Sequence, residues 1–337
     1  MPEIELKKKN PNYDDVIEEL VKKNVYLIFS SGTSGNFSFI PRDWITYYRA
    51  VFSTAVSVKK VGFDYFDFSP ENTFIVCFGP NPQNTYNTAR VGEIGFMDLY
   101  EEAEKWYMID RPLTTELIEV ALGRTKGVKG KIIKKIADFS QKRIISDSIK
   151  YFNRCKCEGK KVIVGGYPFT LHLIMSEMEK RGIKFNFGDG GVWTGGGWKT
   201  NVGGELNSKE FRNRIRENFG IPEENCRDAG GMTEISTNFY ECKGHYKHIP
   251  YFFYPMVLDE EMHPLPFGES GRFANLDPLA DSYPGFIMSS DKYKLLEHCP
   301  DCSRSGAVVG AEISRMPGAE PKGCAMTMGK MLEEAGE

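Results

Sequence analysis

Residues 160–189, KKVIVGGYPFTLHLIMSEMEKRGIKFNFGD, constrain the fold more than any other stretch. KKVIVGG is a short β-branched run closed by glycines, the pattern of a buried strand. Pro168 then stands where a helix starts, Leu171, Ile174, Met175 and Met178 recur at helical spacing, and Gly182 marks the stop. IKFNFGD reads as the next strand. Strand, helix and strand in direct succession form a βαβ unit, which requires a parallel sheet with helices on its faces.

The flanking sequence extends this α/β reading. NVYLIFS (24–30) and NTFIVCFG (72–79) are further short strands, and NSKEFRNRIRENFG (207–220) is a capped amphipathic helix. From Phe252 onward, Pro, Gly and short apolar runs predict smaller β elements. No internal repeat or low-complexity linker divides the chain. With 337 residues, 41% of them hydrophobic and 26% charged, it can bury a large core. A net charge of −3 gives no electrostatic footprint for nucleic acid. The basic stretch from Lys126 to Lys135 is interrupted by glycines and apolar residues and reads as solvated surface. No window approaches the roughly 18 apolar residues of a membrane span, and Met-Pro-Glu opens the chain without an apolar signal core. A cytoplasmic protein is expected, with its eight cysteines reduced. Cys77, inside TFIVCFG, is expected to be a buried small hydrophobe.

One loop carries chemistry. Ser30, Ser31, Gly32, Thr33, Ser34 and Gly35 combine two glycines with four hydroxyls. Glycine lets successive amides converge on one point and form an anion-binding concavity, and hydroxyls add donors around it. That set suits the oxygens of a phosphate, with Arg42 as a bidentate partner if the chain folds back. No Gly-Lys-Ser/Thr follows, so this is not a Walker loop.

Three more stretches accompany it: TGGGWK (194–199), DAGGMTEIS (228–236) and FIMSSDKY (286–293). In this order and spacing the four motifs resemble the adenylate-forming superfamily of acyl and aryl ligases. Within it they resemble the branch of phenylacetate–CoA ligases and LuxE-type acyl-protein synthetases of bacterial luminescence. SSGTSGNFSFIPRD, GGGWK and SRMPGAEPKGCA are similar to the latter in particular, and the likeness runs from about Val25 to Met331. It implies a large N-terminal α/β domain, residues 1–291, and a short C-terminal segment, 292–337. It also implies that Ser31, Gly32, Thr33, Ser34 and Gly35 hold the ATP phosphates and that Gly195, Gly196 and Gly197 lie along the adenine. Thr233 and Glu234 would meet the α-phosphate and Mg2+, and Asp291 the ribose. Only 46 residues follow Asp291, so the superfamily's swinging lid is expected to be cut down. Arg315 is the expected contact to ribose or phosphate from that side, with Lys330 as a stand-in for the lid lysine.

Two departures stand out. Gly230 replaces the usual adenine-stacking aromatic residue, which leaves stacking to Trp198 or Phe187. The lysine common after the phosphate loop is also missing, Asn36, Phe37 and Ser38 standing there instead, and Arg42 is the nearest cation.

The implied reaction is ATP-dependent activation of a carboxylic acid, a fatty acid in the LuxE-type branch, to an acyl-adenylate. By the same resemblance Cys324, beside Lys322, is the thiol that receives the acyl group before a partner reductase or carrier protein. CoA as acceptor, in an acyl- or aryl-CoA ligase, is the alternative. A nucleotide- or acyl-binding scaffold without activity is the reading from a different class. The 23 Phe and 16 Tyr would line a pocket for a fatty chain or an aromatic ring alike. Finally, HCPDC gives Cys299 and Cys302 the spacing of a zinc knuckle, and ECKGHYKH adds Cys242 with His245 or His248. His248 is preferred because Tyr246 and Lys247 suit a turn, giving a structural zinc set of Cys242, His248, Cys299 and Cys302.

Overall fold

The computed structural model describes residues 8–30, 38–62, 69–82, 102–110, 128–196, 207–310 and 313–318. Among these, 8–62 and 228–318 make up one unit and 69–227 the other.

The first unit opens with α1 (Tyr13–Val21), started by a capping box in which Asp15 N donates to Asn12 Oδ1 and Asn12 N to Asp15 Oδ2. β1 (Val25–Ser30) and β2 (Ser38–Asp43) pair antiparallel, from Val25 opposite Asp43 to Ser30 opposite Ser38. The strand expected at 24–30 is therefore present but sits in a hairpin. Asp43 closes β2 and caps α2 (Trp44–Ser57) by accepting Thr46 N at 2.7 Å. Tyr47, Ala50 and Val51 of this helix cover Ile28.

The second unit holds β3 (Thr73–Pro80), β4 (Glu104–Ile109), α3 (Val128–Glu158), β5 (Lys161–Gly166), α4 (Pro168–Lys180), β6 (Gly191–Gly195) and α5 (Ser208–Phe219). Its strands are parallel in the order β4–β3–β5–β6, and β5–α4–β6 is the expected βαβ unit. Cys77 is buried in β3. One strand was misplaced by the sequence pattern. IKFNFGD is not a strand: Phe185 N donates to Asn218 O at 2.8 Å and Phe187 N to Phe219 O at 2.7 Å, so the segment is bonded to the end of α5. Its alternating Phe185 and Phe187 mimic a strand because both rings are buried beside Phe152. The strand begins two residues after this segment, at Gly191. The 31-residue α3 ends at Gly159, whose φ of +64° is the left-handed geometry glycine tolerates.

β7 (Cys226–Gly230) carries the chain across the 227/228 boundary into the first unit, where β8 (Phe239–Glu241), β9 (Lys247–His248), β10 (Tyr254–Leu258), β11 (Ser270–Leu276), β12 (Phe286–Leu296), β13 (Val308–Val309) and β14 (Ser314–Arg315) follow, including the smaller β elements anticipated after Phe252. They pair antiparallel in the order β7–β8–β9–β13–β12–β11–β10, with β14 on β12. Phe239, Phe253, Phe273 and Tyr293 form the centre of its core, the last two stacked at 4.2 Å. Among the described residues, no helix is long and apolar enough to cross a membrane.

Candidate functional site

Ser31, Gly32, Thr33, Ser34, Gly35, Gly197, Trp198, Cys324 and Lys330 lie outside the described residues. What is described is the frame: β1 and β2 bracket residues 31–37 in sequence. Gly195 closes β6, and Gly196 follows at φ +82° with a Cβ position 3.0 Å from Tyr167 Cδ1. Any larger residue at 196 would have to displace the Tyr167 ring.

Thr233 and Glu234 occupy a turn after β7, the first buried and the second half-buried. Two oppositely charged side chains hold this turn. The Arg42 guanidinium donates from Nη2 to Thr233 O at 3.0 Å, and buried Asp277 accepts Ser236 N at 2.6 Å and Thr237 Oγ1 at 3.3 Å. Arg42 is 1% exposed and lies under the Tyr283 ring, 5.2 Å from its centroid. The expectation that it would serve as a free cation for phosphate is corrected: its fork is spent on the protein's own backbone. Phe187 is likewise removed as an adenine-stacking residue, since it is packed in the core between Phe152 and Phe185.

Asp291, expected at the ribose, and Arg315, expected at ribose or phosphate, come together. They are register partners on β12 and β14, and Arg315 Nη1 donates to Asp291 Oδ1 at 2.6 Å. Asp291 is buried and Arg315 half-buried.

Sequence reasoning missed an ion cluster beside the DAGGMTE motif. Lys247 Nζ lies 3.0 Å from both Asp228 Oδ2 and Glu241 Oε1, and Asp228 N donates to Glu241 Oε2. Burial opposes ionisation of Glu241, yet Lys247 and His245 outweigh it and bring its pKa to about 2. Burial also works against the Lys247 cation, and the two carboxylates overcome it and raise its pKa. The Lys247 methylenes fill the space over Gly230: a Cβ there would lie 3.0 Å from Lys247 Cδ. This is a physical reason for glycine where the superfamily carries a ring. The only sequence signal was the absent ring.

The donor atoms of Cys242, His248, Cys299 and Cys302 all lie within 4.8 Å of one another. Cys242 sits at the start of the β8–β9 turn, His248 on β9, and the other two in the segment between β12 and β13. Cys242 Sγ is 3.8 Å from Cys299 Sγ, and Cys302 Sγ is 3.3 Å from His248 Nε2. His245, the other histidine considered, turns its Nδ1 to Glu241 Oε2 at 3.3 Å and takes no part. Three thiols and an imidazole are a structural zinc donor set, and two sulfurs bound tetrahedrally at about 2.3 Å from zinc stand about 3.8 Å apart. Burial pushes the Cys302 thiol up to about 12 and raises Cys242, and it lowers His248. Metal binding would therefore release protons from these thiols.

A family model described as "Acyl-protein synthetase, LuxE" matches residues 133–333. The chain is 30% identical over 302 residues to the long-chain-fatty-acid–luciferin-component ligase of Vibrio harveyi, covering 89% of this chain and 70% of the relative. A protein of the same description from Aliivibrio fischeri is 27% identical over 308 residues, covering 90% and 72%. Among solved structures, the chain is similar to the adenylation domain of a keto acid-selecting NRPS module bound to keto acyl adenylate, with a TM-score of 0.52, 11% identity and coverage of 86% and 52%. It is also similar to a long-chain-fatty-acid-CoA ligase from Archaeoglobus fulgidus, with a TM-score of 0.50, 13% identity and coverage of 86% and 51%. The chain spans about half the length of these solved chains. At such identities the likeness gives the fold, which is that of the adenylate-forming enzymes.

Proposed function

The chain belongs to the LuxE acyl-protein synthetase family, and we propose that it activates a long-chain fatty acid with ATP and passes the acyl group through an enzyme thioester to an acceptor protein. The observation that carries this reading is the family match over 133–333, which takes in Gly195, Gly196, Gly197, Thr233, Glu234, Asp291, Arg315 and Cys324 together. Both curated relatives are named as ligases of a long-chain fatty acid.

In the first step a carboxylate oxygen of the acid attacks the α-phosphorus of ATP. The bond to the bridging oxygen of pyrophosphate breaks, leaving acyl-AMP and pyrophosphate. Residues Ser31–Gly35 donate to the phosphates through amides and hydroxyls, Gly195–Gly197 lie along the adenine, and Asp291 with Arg315 engages the ribose. Such donors stabilise charge on the phosphoryl oxygens without covalent work. Glu234 offers a half-buried carboxylate and Thr233 a hydroxyl, the hard oxygen donors that Mg2+ takes. That ion supplies charge neutralisation of the phosphates. In the second step the Cys324 thiolate adds to the acyl carbonyl and AMP departs, leaving a thioester. An acceptor protein, a reductase or a carrier, then takes the acyl group.

Cys242, His248, Cys299 and Cys302 hold one structural zinc in this reading. The geometry that supports it is the close grouping of their donors. The protein works in the cytoplasm, where its thiols stay reduced.

Acid-dependent exchange of labelled pyrophosphate into ATP, with Mg2+ and a panel of long-chain fatty acids, tests the reading. Exchange that appears only with acid and Mg2+ is expected. No exchange with any acid would contradict it, and rapid release of a free CoA thioester on adding CoA would make CoA the acceptor.

A further inference from the structure

Arg42 is among the largest fully buried side chains of the described residues. Taking a guanidinium out of water costs several kcal/mol unless its charge and its N–H groups are answered. A methionine or leucine would fill the same volume without that cost. The charge is answered by Asp277 and Glu234, and Tyr283 caps the planar face. The donor answered most directly is Nη2, which reaches across 191 positions of sequence to the carbonyl of Thr233.

That carbonyl belongs to the peptide joining Thr233 to Glu234, so fixing it fixes the plane from which the Glu234 side chain departs. Asp277 holds the other end of the turn through Ser236 N, and it also accepts Leu279 N at 3.0 Å. The loop carrying Asp277 and Tyr283 is itself tied to the start of α2: Ser282 Oγ accepts Asp43 N at 3.0 Å, and Thr46 Oγ1 accepts Asp281 N at 3.2 Å and Ser282 N at 3.3 Å. Arg42 and Asp43 are neighbours on β2, the strand that follows the Ser/Gly segment.

We infer that Arg42 is a positioning residue: from β2 it holds the Thr233–Glu234 peptide in the orientation that nucleotide chemistry requires, without itself touching the phosphates. Only the kinetic part of this inference rests on the adenylating reading; the anchoring of the turn does not. A planar fork with fixed donors suits the role, and a lysine, with a point charge on a flexible stem, keeps the cation but not the geometry.

The test is Arg42→Lys in the full chain, read by thermal unfolding, by hydrogen exchange of peptides spanning residues 232–237, and by pyrophosphate exchange with Mg-ATP and a long-chain fatty acid. The variant is expected to melt lower, because a buried charge-assisted bond is lost, and to exchange amides of the 232–237 turn faster. Its kcat should fall by about 10²-fold, the cost of misplacing a group by about 1 Å, while the KM for ATP stays nearly unchanged. A merely structural role would lower the melting temperature and leave kcat per folded molecule intact. Wild-type amide protection together with wild-type kcat would overturn the inference. If the wild type shows no pyrophosphate exchange, the adenylating reading fails, and amide protection alone then decides whether Arg42 anchors the turn. Should Arg42→Lys not fold, Arg42→Gln, which keeps an N–H donor without the charged fork, is read the same way: faster exchange of the turn with a lower kcat supports the inference, and unchanged exchange and kcat contradict it.

Discussion

Asp291 and Arg315 face each other across the β12–β14 ladder, joined by a 2.6 Å hydrogen bond between a buried carboxylate and a half-buried guanidinium. Charge-assisted bonds of this kind contribute about 2 kcal/mol. Arg315→Ala should lower the free energy of unfolding in urea by about that amount. Asp291→Asn, which also removes the proposed ribose acceptor, should raise the KM for ATP more than it lowers kcat. Equal stability in Arg315→Ala would deny the bond that contribution, and an unchanged KM in Asp291→Asn would take Asp291 away from the nucleotide.

Glu234→Gln keeps the shape of the side chain and removes its charge. If Glu234 organises charge at the reacting phosphorus, pyrophosphate exchange should drop by about 10²-fold at saturating ATP. Full exchange in this variant would take Glu234 out of the mechanism.

Purified protein with no history of chelators should contain one zinc per chain. Because ligand residues from two sequence segments converge on the ion, its removal costs folding free energy. Chelation, or Cys299→Ser, should lower the melting temperature. Elemental analysis showing no zinc would remove the metal from the account and leave three reduced thiols beside an imidazole.

The α4–α5 contact should weaken in acid. Burial first, and then Arg214, hold His172 below the usual imidazole range, and its Nδ1 faces Arg214 Nη1. Folded His172 therefore binds a proton less readily than unfolded His172. Its contribution is intact above the unfolded pKa near 6.5 and declines as pH falls below it. Burial works against the Glu179 carboxylate, but Asn218 and Arg214 lower its pKa, so its share persists until pH drops below about 4.3. Melting temperature should fall between about pH 6.5 and 4.3, and His172→Gln, which keeps an acceptor for Arg214, should flatten that fall. Parallel profiles for the two proteins would exclude His172 as the titrating group.

Local signals were readable where one segment decides its own structure. The strands Thr73–Pro80 and Lys161–Gly166 are dense β-branched or aromatic runs, and α4 and α5 carry Pro168 and Asn207 at one end and Gly182 and Gly220 just past the other. IKFNFGD misled because its two phenylalanines alternate as in a strand, while their backbone partners lie at the end of a helix. The Cys-x-x-Cys pair announced the donor cluster, and the choice of His248 over His245 followed the turn between them. The Arg42–Thr233 bond could not be read, because no local pattern links residues 191 positions apart. The Lys247 cluster left only the absent ring at Gly230 as a signal, because its cation and carboxylates meet only once β7, β8 and β9 are paired.

The central claim, that acyl transfer passes through a thiol of this chain, is tested most directly by intact mass of the protein after incubation with Mg-ATP and a long-chain fatty acid. The wild type should gain one acyl mass, lose it to neutral hydroxylamine as a thioester does, and carry it on the peptide containing Cys324. Cys324→Ser should keep acid-dependent pyrophosphate exchange and gain no mass. A stoichiometric adduct that persists in Cys324→Ser, or no adduct in the wild type alongside active pyrophosphate exchange, would contradict it.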